Sequence, residues 1–349
     1  ACGGEDLGIG TAPNQELQCD LDLSYMADGG VGRDGIPALT DPGMVDVLPI
    51  VPENAYARDE DRIIAVRLSS GWLAIPHNIM WVHEIVNLSD GLAVTYCPLT
   101  GSALAFSRAE IGGAELGVSG LLYQANLMMY DRNLPNESLW PQMMGQARCG
   151  PRTGTTLSRL PVVEMTMGGW KELHPDSKMV ALGGGLDDWG LYVRNPYGAE
   201  YDDPDNADFL GYAIPQSDTR RPPKERVLGF PADGSGAGPI AYPFEAMASD
   251  GDFGVYTLEF EGEPAVVLWD SGRRAAAAFR PVVGVEPTTF TAVDDGFLDS
   301  ATGTVWAVDG TPVRGPLGDS NRRLRQISEP YVAFWGAWAA FHPGTTLPL

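Results

Sequence analysis

The stretch AVTYCPLTGSALAF at residues 93–106 aligns without a gap on VVLWDSGRRAAAAF at 266–279. Three further pairs keep the same order. RIIAVRLSSGWLAIPHNIM, from Arg62, matches RVLGFPADGSGAGPIAYPFEAM, from Arg226; LWPQMMGQARCGP matches VWAVDGTPVRGP; and WKELHP at 170–175 matches WAAFHP at 338–343. Ordered recurrence at similar spacing is the signature of a duplicated unit, here of roughly 115–125 residues. It constrains the fold strongly, because whatever one half becomes the other must become too. The expected layout is a tether over 1–24, an irregular N-terminal wrap over 25–60, a first repeat over 61–194, a linker or excursion over 195–225, and a second, degenerate repeat over 226–349.

Each unit reads as mostly strand. DRIIAVRL and LAVTYCPL are β-branched and aromatic runs bounded by Gly, Ser and Asp, the composition of a pleated, half-buried surface. TGTVWAVDGTPVRGP alternates large and small residues around an Asp-Gly turn. Helices are few and short. GGWKELHP and YVAFWGAWAAFHP each predict one helix ended by a His-Pro pair. IPHNIMWVHEIVN predicts another, with Ile79, Val82 and Val86 on one face and His83 beside it. The expected fold class is mainly β with short helices, an α+β arrangement in which two degenerate tandem repeats pack together.

The net charge is −23, from 46 acidic against 23 basic residues. Such a surface repels phosphate backbones, so nucleic acid is excluded as a partner. No apolar run approaches the roughly 20 residues of a membrane helix. The opening ACGGEDLGIGTAPNQE instead resembles the end of a bacterial lipoprotein signal, with a small residue before Cys2 and a Gly-rich, acidic tether after it. The expectation is a membrane partner reached through lipid on Cys2. The location is then the cell envelope, at the outer membrane or cell surface, facing periplasm or exterior. Protein partners are not specified.

Lipidation of Cys2 leaves Cys19, Cys97 and Cys149. An oxidising compartment favours one disulfide among them. Cys19 and Cys149 lie in turn-rich segments and form one candidate pair; Cys97–Cys149 is the other. Residues kept in both halves read as architecture: Trp140 with Trp306, Trp170 with Trp338, His174 with His342, and Phe106 with Phe279. The halves differ where Cys97 aligns with Asp270, Ser102 with Ala275 and, less securely, His83 with Asp250. The first half also carries Ser119, Tyr123, Gln124, Asn126, Tyr130 and Asp131 in GVSGLLYQANLMMYDR. Reactive groups are therefore expected in the first half.

These segments also carry a family resemblance. DGIPALTDP, WVHEIVN, VTYCPLTGSALAF, GVSGLLYQANLMMYDR, ESLWPQMMG, GWKELHPDS and PPKERVLG together resemble DUF3179, a bacterial and archaeal family of exported proteins known as a domain of unknown function. The likeness runs over about residues 34–345. Many members of that family carry Cys-Pro-Leu-Cys where this chain has Cys97-Pro98-Leu99-Thr100. A two-sulfur redox couple is therefore not available here.

Three function classes follow. The first is an extracytoplasmic enzyme or metal protein with Cys97, His83, Tyr130 and Asp131 as catalytic candidates. In that class Ser102, Ser119, Tyr123, Asn126 and Trp140 contact substrate. A thiolate with a neutral imidazole suits copper or zinc, so His83 and Cys97 are the candidate ligands, with Met143 or Met144 as thioether and Glu84 or Asp131 as carboxylate. The same pair could serve as a Cys–His nucleophile. The second class is a non-catalytic ligand-binding lipoprotein with a pocket lined by Trp72, Trp81, Tyr96, Tyr123, Tyr130 and Trp140. The third is a structural or assembly module. The opposing reading of Cys97 is a small buried hydrophobe. No Gly-rich phosphate loop, HExxH or GxSxG motif is present.

Overall fold

The computed structural model describes residues 18–133, 135–183, 185–208, 212, 214, 218–234 and 236–349. Cys2 and most of the expected tether lie outside them. In the first half, β1 (Arg62–Leu68) and β2 (Gly71–Pro76) lead into α1 (His77–His83). A meander follows, of β3 (Ile85–Leu88), β4 (Leu92–Cys97) and β5 (Ser102–Ser107). Next come β6 (Leu116–Tyr123), β7 (Asn126–Asp131) and β8 (Leu139–Pro141), and finally β9 (Val163–Thr166) and α2 (Met167–Leu173).

In the second half, β10 (Arg226–Phe230) and β11 (Ile240–Pro243) lead into α3 (Phe244–Asp250). The strands β12 (Phe253–Phe260), β13 (Glu263–Asp270) and β14 (Ala275–Phe279) form the meander. After them run β15 (Phe290–Val293), β16 (Gly296–Asp299) and β17 (Val305–Trp306), then β18 (Tyr331–Phe334) and α4 (Trp335–Phe341).

The pairing order is alike in the two halves. β1 lies between β9 and β2, as β10 lies between β18 and β11, all antiparallel. β3-β4-β5 and β12-β13-β14 are each antiparallel meanders. Consecutive pairing also joins β6-β7-β8 and β15-β16-β17. The strands of the first half are almost entirely buried, which suits their unbroken apolar runs.

Local hydrogen bonding recurs as well. Trp170 donates through its indole to Ser177 Oγ at 2.8 Å, and that hydroxyl donates to His174 O at 2.7 Å. Trp338 donates to Thr345 Oγ1 at 3.0 Å, which donates to His342 O at 2.6 Å. Each histidine ring lies over its tryptophan, with centroids 4.2 and 4.0 Å apart. His174 and His342 thus end their helices and pack there. One apolar core holds Ile64 and Trp170 of the first half together with Phe279 and Trp306 of the second. The Phe334 N–H donates to Thr100 O at 2.8 Å, and a Cβ on Gly101 would meet the Phe334 ring at 2.8 Å. Only glycine allows that approach.

Two expectations about local structure change. The helix from Pro76 stops at His83, because Glu84 takes a left-handed conformation with φ 57° and the β-branched Ile85-Val86 continues as β3. Val86 is therefore on a strand, not on the helix face with Ile79. From Cys19 onward the chain is held to the body: Cys19 and Cys149 form a disulfide, and Met26–Asp28 pairs with β6.

Candidate functional site

Cys97 ends β4 with its side chain buried. Its sulfur accepts the Leu127 N–H at 3.3 Å and approaches Ala125 O at 3.8 Å. Burial pushes the thiol up to about 11, and the nearby Glu84 carboxyl adds to this against weaker hydrogen bonding from Thr100 and Leu127. At neutral pH the group is a thiol, neither a nucleophile nor a soft anionic ligand. Beside it, Thr100, Ser102, Asn126 and Gln142 form a closed network. Asn126 Nδ2 donates to Thr100 Oγ1 at 3.0 Å and to Gln142 Oε1 at 2.8 Å, and its Oδ1 accepts the Met143 N–H at 2.9 Å. Ser102 Oγ donates to Gln142 Oε1 at 2.6 Å, and Gln142 donates to Thr95 Oγ1 at 3.1 Å. Buried polar groups satisfied in this way fix a core.

His83 has a different set of partners. Its Nδ1–H donates to Pro37 O at 2.8 Å, and its Nε2 accepts from the Tyr192 hydroxyl at 2.9 Å. Burial lowers its pKa, so the ring is neutral with both nitrogens engaged. The structure does not join His83 to Cys97. Among the described residues no group of three His, Cys, Asp or Glu side chains could hold a metal ion. The donor set named for copper or zinc therefore does not fit one.

The remaining candidates disperse. Asp131 Oδ1 accepts the Ser138 N–H at 2.6 Å and the Trp140 indole N–H at 3.1 Å, and its other oxygen pairs with Arg152 at 2.8 Å. Asp299 makes the corresponding bonds in the second half, to the Thr304 N–H at 3.2 Å and the Trp306 indole at 2.8 Å. Asp131 and Trp140 are thus a pair present in both halves, and the contrast between halves does not extend to them. The Tyr130 hydroxyl donates to Asp34 Oδ2 at 2.5 Å, with the Arg33 guanidinium 4.1 Å from its ring centre. Ser119 Oγ donates to Met128 O at 2.5 Å, and Tyr123 packs edge-on to Phe341.

A site absent from the sequence reading lies where β1 and β10 begin. Arg62 and Arg226, aligned in the two halves, line a cavity of about 260 Å³ with His77, Trp81, Tyr201 and Asp202. Both arginines are more than nine-tenths buried. Arg62 donates through Nη1 to Arg274 O at 3.0 Å, while its Nε stands 3.7 Å from Glu164 Oε2. Arg226 donates through Nη2 to Asp202 Oδ1 at 2.9 Å. Nε and Nη2 of Arg62, Nη1 of Arg226 and Oε1 of Glu164 find no hydrogen-bond partner among the described residues. Burial, and next the charge of Arg226, lowers the Arg62 pKa to about 10, which still leaves it charged.

Glu164 Oε2 lies 3.1 Å from His77 Nε2. Burial pushes the Glu164 carboxyl up, but His77, Arg62 and Arg226 outweigh this and hold it below the usual range. Burial lowers the His77 pKa, so the ring is neutral and its Nε2–H donates to that carboxylate. Tyr96 backs the lining residues His77 and Tyr201. The Tyr96 ring lies 4.3 Å from His77; its hydroxyl donates to Tyr201 Oη at 2.8 Å, and Tyr201 donates to Pro98 O at 2.8 Å. Tyr96 and Pro98 flank Cys97, and strand alternation sends Tyr96 to the cavity side and Cys97 to the other. The signal available in sequence was the pairing of Arg62 with Arg226 at the starts of two strands destined for burial.

The fold and the cavity thus define a mainly β protein with a charged seat between its halves. The model of a family described as a protein of unknown function, DUF3179, matches residues 33–345, and the chain belongs to that family. No curated protein and no solved structure matches it.

Proposed function

We propose that this member of DUF3179 is a ligand-binding protein of an extracytoplasmic compartment, and that the cavity between Arg62 and Arg226 holds a small anion. One observation carries the reading: two buried guanidiniums line a cavity and retain N–H groups without acceptors among the described residues. An unpaired buried donor costs about 1–3 kcal/mol, more when charged. Arginine is also the side chain whose planar fork matches a carboxylate or phosphate. Among the groups named for the enzyme and metal readings, Cys97 is protonated and His83 fully engaged, which favours binding over reaction there.

The disulfide between Cys19 and Cys149 supports an oxidising location. Attachment through lipid at Cys2 belongs to the same proposal and is tested by the mass of the chain extracted from membranes. The recurrence of strand order and of the Trp–His and Asp–Trp hydrogen bonds supports descent from a doubled unit.

The test of the seat is a thermal-shift series on the full chain with sodium acetate, inorganic phosphate and sodium sulfate at constant ionic strength. At least one of these is expected to raise the melting temperature of the wild type, and to do so less for Arg226→Lys and Arg62→Lys. Equal shifts in all three proteins, or none in the wild type, would overturn the proposal.

A further inference from the structure

We propose that Asp202 is a carboxylate of the chain itself standing in the seat, and that the natural ligand is a small monocarboxylate that takes its place on Arg226. This inference rests on the reading of the cavity as an anion seat. Four features support it. First, the pair is lopsided: the Arg226 side chain is 7% exposed and the Asp202 side chain 60% exposed. The acid reaches in from the surface, whereas the base is part of the core.

Second, the contact uses one nitrogen. Asp202 accepts from Nη2 alone, while Nη1 has no partner. A carboxylate free of the backbone can meet a guanidinium through two parallel hydrogen bonds, which Asp202 does not reach.

Third, charge fixes the class of ligand. Glu164 is 2% exposed and held by His77 and Arg62, so it cannot leave. Arg58, Glu60, Asp61 and Arg274 also line the cavity, so withdrawal of Asp202 leaves Arg58, Arg62, Arg226 and Arg274 against Glu60, Asp61 and Glu164, a surplus of one positive charge. A singly charged carboxylate restores neutrality there, whereas a phosphate dianion leaves an excess negative charge in a site of low dielectric.

Fourth, the other walls suit a compact organic body. His77, Trp81, Ala199 and Tyr201 line a volume of about 260 Å³, enough for a few carbons behind the carboxylate. The segment bearing Asp202 is turn-rich, with Gly198 at φ 90°, and is held at its neighbour Tyr201 by the bond to Pro98 O. Asp202 can therefore turn outward while Tyr201 stays in place.

The experiment is calorimetric titration of the full chain with sodium acetate, sodium benzoate and inorganic phosphate. The wild type, Asp202→Asn and Asp202→Glu are compared. Removal of the competing charge is expected to tighten carboxylate binding on the order of fivefold in Asp202→Asn, the scale of a partly exposed ion pair. Phosphate should still bind more weakly than either carboxylate, and Asp202→Glu should stay near the wild type. If the wild type binds carboxylates and Asp202→Asn binds them no tighter, Asp202 is a structural staple; the inference falls and the seat stands. Tighter binding of phosphate than of either carboxylate overturns the ligand class. If none of the three proteins binds any of these anions, the seat itself is wrong.

Discussion

Glu84 offers the sharpest test of the buried electrostatics. It ends α1 in a left-handed conformation and is 7% exposed. Burial pushes that carboxyl from its ordinary 4.5 up to about 8. The folded chain therefore binds a proton that the unfolded chain has lost over this pH range, and stability falls as pH rises through it. The interval spans about 3.5 pH units, and at about 1.4 kcal/mol each the ceiling is about 5 kcal/mol. Glu84→Gln keeps the shape and removes the charge. Urea unfolding with the disulfide intact, at pH 5, 7 and 9, should show the variant about 2–5 kcal/mol more stable than the wild type at pH 9. That advantage should shrink steadily toward pH 5. An advantage that does not change with pH, or a variant less stable at pH 9, would refute the account of Glu84 as an acid whose charge burial disfavours.

Three further outcomes follow from the same structure. Cys97, buried and with its thiol raised to about 11, should resist a colorimetric disulfide reagent at pH 8 in the folded Cys2→Ser protein and react at once in guanidinium; rapid labelling of that folded variant would contradict its placement. Loss of the Cys19–Cys149 bridge, which closes a separation of 130 residues, should lower unfolding stability by about 3–5 kcal/mol in Cys149→Ala, measured against the oxidised wild type. Gly101→Ala should cost more than about 2 kcal/mol, because φ is +59° and the new methyl meets the Phe334 ring at 2.8 Å; chemical denaturation measures it, and a cost below 1 kcal/mol would show that the halves are not wedged there.

Much of the scaffold is legible in the sequence. The runs DRIIAVRL and LAVTYCPL fell as strands because β-branched residues have few other uses at that density. Trp170-His174 and Trp338-His342 read as architecture because both halves kept them. The helix from Pro76 reads too long in sequence, since Ile79, Val82 and Val86 keep a helical spacing that one left-handed residue, Glu84, interrupts. Asp131 reads as a reactive group because its counterpart Asp299 sits in EPTTFTAVDDGFLDS, a run with little visible likeness to GVSGLLYQANLMMYDR. Cys97 could not be placed at all: a thiol carries the same letter in solvent and in a core. The seat stayed hidden for a different reason. Arginine at the start of a strand reads as a solvated end, and the burial of Arg62 and Arg226 depends on the 195–204 segment and on docking between distant parts of the chain, neither of which leaves a periodic trace.

Arg62 belongs to the first half and Arg226 to the second. Anything gripped by both acts as mortar between them, and occupancy must then strengthen the whole body against unfolding by an amount that grows with the logarithm of ligand concentration. Loss of either half would leave a surface with a single lever and nothing to close against. A protein assembled in this way can be retuned toward new ligands by changes on either side of the seam, without rebuilding the framework that carries it.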